Sequence, residues 1–286
     1  MKYLNFYLLG SFIFFAVVGF AAKETLALAI TEKRVVFEGP KRSQVITIIN
    51  RSDETKTYRL GWRHLTMTQK GLKDIPEDAP LPPEIKPVTD MVKYAPRRVT
   101  LGPRETQDIR MLVRMPAGLP DGEYRSHFWI RPEGNTEKFR RQVEEEAEKD
   151  GRKFGIAIQM LAGITLPVIV RKGNIDAELF IENFSAQQSP GFVNVNFDLV
   201  RQGERSVYGD INYICNPGSE QEYTLRQQKG MAVYAETSLR RFDHRFEKPQ
   251  DSGNCSTLTI RFSETEGNVR KEKAISIDQT VNVATL

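Results

Sequence analysis

The side chains best equipped for chemistry are few, and their spacing does not bring them together. His64, His127 and His244 are scattered along 286 residues, and only two cysteines occur, Cys215 and Cys255. Ser126 and His127 are neighbours within "GEYRSHFWIRPE". In an extended strand adjacent residues point to opposite faces, so they do not make a nucleophile and its base. Asp121 and Glu123 form an acid pair beside a Pro-Asp-Gly turn, where surface carboxylates are ordinary. No GxSxG elbow, phosphate-binding loop, GxGxxG, HExxH or deaminase signature is present. No second cysteine motif accompanies the histidines, so the pattern calls for no metal. No cofactor and no enzymatic activity are expected.

Composition narrows the classes further. The chain is 40% hydrophobic and 27% charged with a net charge of +4, enough apolar material for two ordinary domains. Charges of both signs are mixed, without the block of Lys/Arg and aromatics that a nucleic-acid groove needs. Residues 1–22, "MKYLNFYLLGSFIFFAVVGFAA", begin with Lys2, run apolar and close on small residues. That is the shape of a cleaved secretory signal, with an uncleaved membrane anchor as the alternative. In an exported chain Cys215 and Cys255 are expected to form a disulfide rather than remain two buried thiols.

After the signal, hydrophobicity alternates with period two. "VVFEGPKRSQVITIINRS", "TKTYRLGWRHLTM", "RRVTLGPRETQDIRMLVRMP" and "DGEYRSHFWIRPE" read as short strands broken at Gly and Pro. Residues 70–90 are rich in Pro and acid and read as a loop. "GNTEKFRRQVEEEAEKDGRK" is polar all round and also reads as a surface loop, since a helix there would have no face to bury. A second strand series follows: "DAELFIENF", "GFVNVNFDLVRQG", "SVYGDINYI", "MAVYAETSLRRF", "STLTIRFSE" and "KAISIDQ". The expected fold is all-β, two β-sandwich domains spanning 23–171 and 172–286, hinged at Lys172-Gly173.

The segment that needs most explanation is "KFGIAIQMLAGITLPVIVR". Phe154, Ile156, Ile158, Met160, Ile164, Leu166, Val168 and Val170 all fall on one side of an extended chain. At about 3.3 Å per residue the stripe is roughly 55 Å long, well beyond an ordinary strand. Gly163 and Pro167 mark a bend or bulge, and proline argues for a sheet edge. A long apolar edge invites aggregation. Either the stripe faces the domain's own core, or Phe154, Ile156, Ile158 and Met160 are offered to another chain that adds a strand beside them.

Taken in order, "KRVVFEG", "LGPRETQDIRMLV", "GEYRSHFWIRPE", the charged loop and "IAIQMLAGITLPVIVR" resemble the PapD-like periplasmic chaperones of the chaperone-usher pathway. "GITLPVIVR" and "RSVYGDINY" are more similar to the archaic branch. The resemblance implies two immunoglobulin-like domains in a boomerang, and a periplasmic protein that protects pilus or fibre subunits and delivers them to an outer-membrane usher. It also implies that Phe154, Ile156, Ile158 and Met160 are donated to the client, while Ile164, Leu166, Val168 and Val170 stay inside the chaperone. Arg34 matches the family's first cationic anchor for the client's terminal carboxylate. The usual lysine position falls at Thr165, which carries no charge, so Arg125 or Arg131 is expected to supply the second cation. These two share a strand face with His127 and Trp129. Arg110 and Glu123 match family positions that read as a structural ion pair. The rival reading is a secreted two-domain adhesin or structural fibre protein. Self-association before the client arrives is a further possibility.

Overall fold

The computed structural model describes residues 28–134, 136–149, 161–265 and 274–285. Alternating hydrophobicity decides most of the architecture. The chain opens with β1 (Leu28–Ile30), β2 (Val35–Phe37), β3 (Ser43–Asn50), β4 (Lys56–Arg63) and β5 (Leu65–Thr68). There follow β6 (Gly71–Asp74), β7 (Val92–Ala95), β8 (Arg98–Leu101), β9 (Thr106–Val113) and β10 (Gly122–Pro132). A helix, α1 (Thr136–Lys149), precedes β11 (Ile164–Lys172).

These strands make two sheets, ordered β1-β3-β9-β7 and β2-β11-β10-β4-β8, with β5 and β6 as a separate hairpin. Ile46 and Ile48 of β3 and Ile109 and Met111 of β9 point inward. They meet Phe128 and Ile130 of β10 and Leu166, Val168 and Val170 of β11 in one core. Each such side chain contributes about 1.5–3 kcal/mol on burial, before ordering costs. Trp62, Tyr94 and Phe128 lock the centre edge to face, with Tyr94 and Phe128 centroids 4.7 Å apart.

The second sandwich contains β12 (Ala177–Ser189), β13 (Phe192–Gly203), β14 (Val207–Cys215) and β15 (Tyr223–Val233). It is completed by β16 (Leu239–Glu247), β17 (Thr257–Glu264) and β18 (Ser276–Thr285). Hydrogen bonding runs in the order β15-β14-β17-β18-β12-β13-β16. β18 joins the two layers, because its first part pairs antiparallel with β17 and Val283–Thr285 pair parallel with β12. Phe197 of β13 stacks on Phe242 of β16 at 4.6 Å and meets Tyr213 of β14 edge to face. Cys215 and Cys255 form the expected disulfide across a separation of 40 residues. Closing a loop of that length stabilises the sandwich by about 4 kcal/mol in the chain-entropy description.

The chain crosses between the sandwiches at Gly173, whose φ of +81° suits glycine and whose Cβ would meet the Asp121 carboxylate at 2.3 Å. Three readings of the sequence are corrected. Residues 136–149 are helical, because Glu, Arg, Gln, Lys and Ala favour helix, Glu137 and Lys149 suit the helix dipole, and Arg140 pairs with Glu144 one turn on. Ala147 is buried, so this helix does have a covered side. Gly71–Asp74, inside the expected loop 70–90, pair with β5. "MAVYAETSLRRF" is split between β15 and β16 by a turn in which the Thr237 N–H donates to the Tyr234 carbonyl at 3.1 Å.

Candidate functional site

Alternation gives β10 and β11 one face in the core and one toward the second sandwich. On β10 the outward side is Glu123, Arg125, His127, Trp129 and Arg131. Opposite them on β11, Ile169 pairs with Arg125, Pro167 with His127 and Thr165 with Trp129. Val36 of β2 lies beside Ile169. Val36, Ile169 and Met67 meet Ala232 and Tyr234 of the second sandwich, with Tyr208 against them. An apolar patch therefore holds the sandwiches together, and charge is built around it.

Two buried ion pairs cross or border this contact. Arg171 Nε donates to Glu123 at 2.9 Å, both side chains being 1% exposed. The Ser206 N–H, from the second sandwich, donates to the same carboxylate oxygen at 3.0 Å. Burial opposes ionisation of Glu123, but Arg171 and Ser206 outweigh it and hold the carboxyl below its ordinary range. Arg171 also reaches Glu38 at 3.3 Å and the Ser206 carbonyl at 3.3 Å. Two residues along β10 from Glu123, Arg125 donates to Glu236 and, at 3.1 Å, to the Leu65 carbonyl, with its guanidinium 3.7 Å from the Tyr234 ring centre. Glu236 also accepts the Met67 N–H at 2.8 Å. His127 is pushed down to about 2 by burial and then by Arg125, so its ring is neutral and accepts from Arg125 Nη1 at 3.0 Å.

Arg34, immediately before β2, is treated differently. Its guanidinium lies 4.6 Å from the Tyr208 ring centre, and its Nε is buried without a hydrogen-bond partner. Among the described residues no carboxylate forms an ion pair with it. Burial, and then the nearby Arg171, push it below its ordinary value. An uncompensated cation in a partly desolvated place is stabilised by any anion that reaches it.

The backbone beside Arg34 is also incomplete. β2 pairs with β11 only from Val35–Val168 to Phe37–Val170. Ile164 to Pro167 are paired with β10 on one side, and no described strand occupies the other. Pro167, which lacks an N–H, is the last residue before β2 joins. Thus, among the described residues, β11 has an edge without a neighbouring strand that ends where β2, and Arg34, begin.

The anticipated site residues fare unequally. Arg34 lies at the mouth of the contact between the sandwiches. Arg125 faces the same way, but its charge is already matched by Glu236. Arg131 is exposed and lies over Trp129 at 4.5 Å, about 13 Å along the strand beyond His127 at the usual rise. Thr165 is exposed on β11. The expected Arg110–Glu123 pair is not formed, because Arg110 is exposed on β9 in the other sheet while Glu123 is buried against Arg171. Phe154, Ile156, Ile158 and Met160 lie outside the described residues. Sequence reasoning missed Glu236 and Tyr208, which come from the second half of the chain. It also passed over Arg171, although a charge closing an apolar run was a visible signal.

No family model matches the chain, and no curated protein matches it. Among solved structures, similarity is found to a chain of the CsuC–CsuE chaperone–tip adhesion subunit pre-assembly complex from archaic chaperone-usher Csu pili of Acinetobacter baumannii. The identity is 8%, with 91% of this chain and 100% of that one covered and a TM-score of 0.46. The E. coli chaperone DraB is similar at 10% identity over 90% and 96% of the two chains, TM-score 0.42. The Pseudomonas aeruginosa CupB2 chaperone is similar at 13% over 88% and 98%, TM-score 0.39.

Proposed function

We propose that this chain is a periplasmic chaperone for pilus or fibre subunits, binding them by strand addition along β11 and passing them to an outer-membrane usher. Residues 1–22 act as the export signal, 23–171 form the client-binding domain and 172–286 the second domain. The observation that carries the reading is the edge of β11, without a neighbouring strand among the described residues, that ends at Arg34. A client strand laid beside Ile164–Pro167 continues the line of β2, so its terminus arrives at an unpaired guanidinium. Backbone hydrogen bonds give the affinity, and the charged terminus fixes the register, since a slip of one residue turns every side chain over. The donated side chains are Phe154, Ile156, Ile158 and Met160.

The test is co-expression with a fibre subunit lacking one strand of its own fold, followed by purification through a tag on the subunit. A stable one-to-one complex that Arg34→Ala weakens supports the reading. If the mature chain purifies alone, ignores the subunit and is unaffected by Arg34→Ala, it is an adhesin or structural protein instead.

A further inference from the structure

Resting on that reading, we propose that Tyr208 is the positioning residue of the anchor: its ring holds the Arg34 guanidinium face-on, so that a single stacked cation receives the client's carboxylate.

The charges around the contact leave little choice. Arg171 is matched by Glu123 and Glu38, and Arg125 by Glu236. Thr165 has no charge, and Arg131 is stacked on Trp129 further along β10. Arg201 and Arg240 are held by backbone carbonyls, whereas Arg34 has a buried Nε–H with no partner among the described residues. A lone guanidinium on a flexible stem is a poor carboxylate receptor, because docking must first order it. A ring beside it reduces that freedom, and its Nε–H, buried without a partner among the described residues, is free to make a charge-assisted bond to a carboxylate.

Tyr208 is itself held for this task. Its ring packs against the Val36, Met67, Ile169, Ala232 and Tyr234 cluster. Its hydroxyl end rests on Gly230, where a Cβ would come within 2.7 Å of the hydroxyl oxygen. Tyr208 belongs to β14 in the second sandwich, and Arg34 to the first. The anchor is therefore assembled from both, and carboxylate recognition depends on how they are docked.

The probe is a synthetic peptide of alternating Val and Thr, prepared with a free carboxylate and as its C-terminal amide, titrated into mature protein with 15N-labelled arginine. The Arg34 Nε–H resonance, assigned by its loss in Arg34→Lys, is expected at an upfield ring-current position in wild type and Tyr208→Phe. Wild type should prefer carboxylate over amide by at least about tenfold. Tyr208→Phe should keep that preference, whereas Tyr208→Leu should lose roughly two- to thirtyfold of it. A merely structural role for Tyr208 would weaken both peptides alike. An unshifted Arg34 resonance in wild type overturns the proposal without any need for the leucine variant to fold. So does a folded Tyr208→Leu that keeps the preference while Arg34→Ala abolishes it, and in that case the chaperone reading stands. If wild type does not distinguish carboxylate from amide, the anchor falls, and this inference with it.

Discussion

The two halves of β11 carry one alternating sequence into opposite circumstances. From Val168 to Val170 the strand lies between β2 and β10, and it is followed by Arg171, buried against Glu123. From Ile164 to Pro167 the same alternation continues with, among the described residues, β10 on one side only. The side chains do not differ in kind, since Leu166 is as buried as Val168. The difference lies in the backbone and in charge compensation. One half is flanked by strands on both sides, and the other, among the described residues, on one side.

Breaking the finished half should cost most. Arg171→Met leaves the Glu123 carboxylate buried without its cation, and is expected to lower unfolding free energy by about 3–5 kcal/mol in urea titrations. Acid should lower stability in two stages. His127, His64 and His244 are all depressed, each chiefly by burial. Their unfolded forms take up protons first, so stability falls as pH drops below about 6.5. Glu123 is also depressed, so its contribution is present above the ordinary carboxylate value and is lost as pH falls through the lower folded one. His127→Gln should reduce the upper stage, to which His64 and His244 still contribute, and leave the lower one.

Side-chain packing on the free half should cost slightly less. Leu166→Ala is expected to lower stability by about 2–5 kcal/mol, because Leu166 is 1% exposed in the core even though its backbone edge is open. A much smaller loss would mean that the first turns of β11 are not fixed without a client. Arg34→Ala should separate the two halves by function. Stability should change by no more than about 2 kcal/mol, since the ring contact with Tyr208 is lost but, among the described residues, no ion pair is, while client affinity falls about 10- to 100-fold with one charge-assisted contact. Arg131→Ala should change neither quantity by more than about 0.5 kcal/mol, because that side chain is exposed and remote from the end of β2.

The parts legible in the sequence are those governed by short-range periodicity. Two-residue alternation and Gly/Pro breaks expose nearly every strand, including the outward set Arg125, His127, Trp129 and Arg131. Charge partners are less legible, because Glu236 and Arg125 are 111 residues apart and only the docking of two sandwiches joins them. Arg110 illustrates a related error: its pairing with Glu123 is what the family resemblance implies, yet the two lie in different sheets and Glu123 is taken by Arg171. The helix at 136–149 was hidden for another reason. Its support comes from local propensity and the Arg140–Glu144 spacing more than from an apolar stripe.

The most direct test of the account is hydrogen exchange, read by mass spectrometry on peptides spanning 154–167 and 168–172, in the mature protein alone and bound to a fibre subunit. The account predicts fast exchange in 154–167 alone, protection there in the complex, and slow exchange in 168–172 throughout. Equal protection of both peptides without a partner, unchanged when a subunit is added, would contradict it, because β11 would then already be complete.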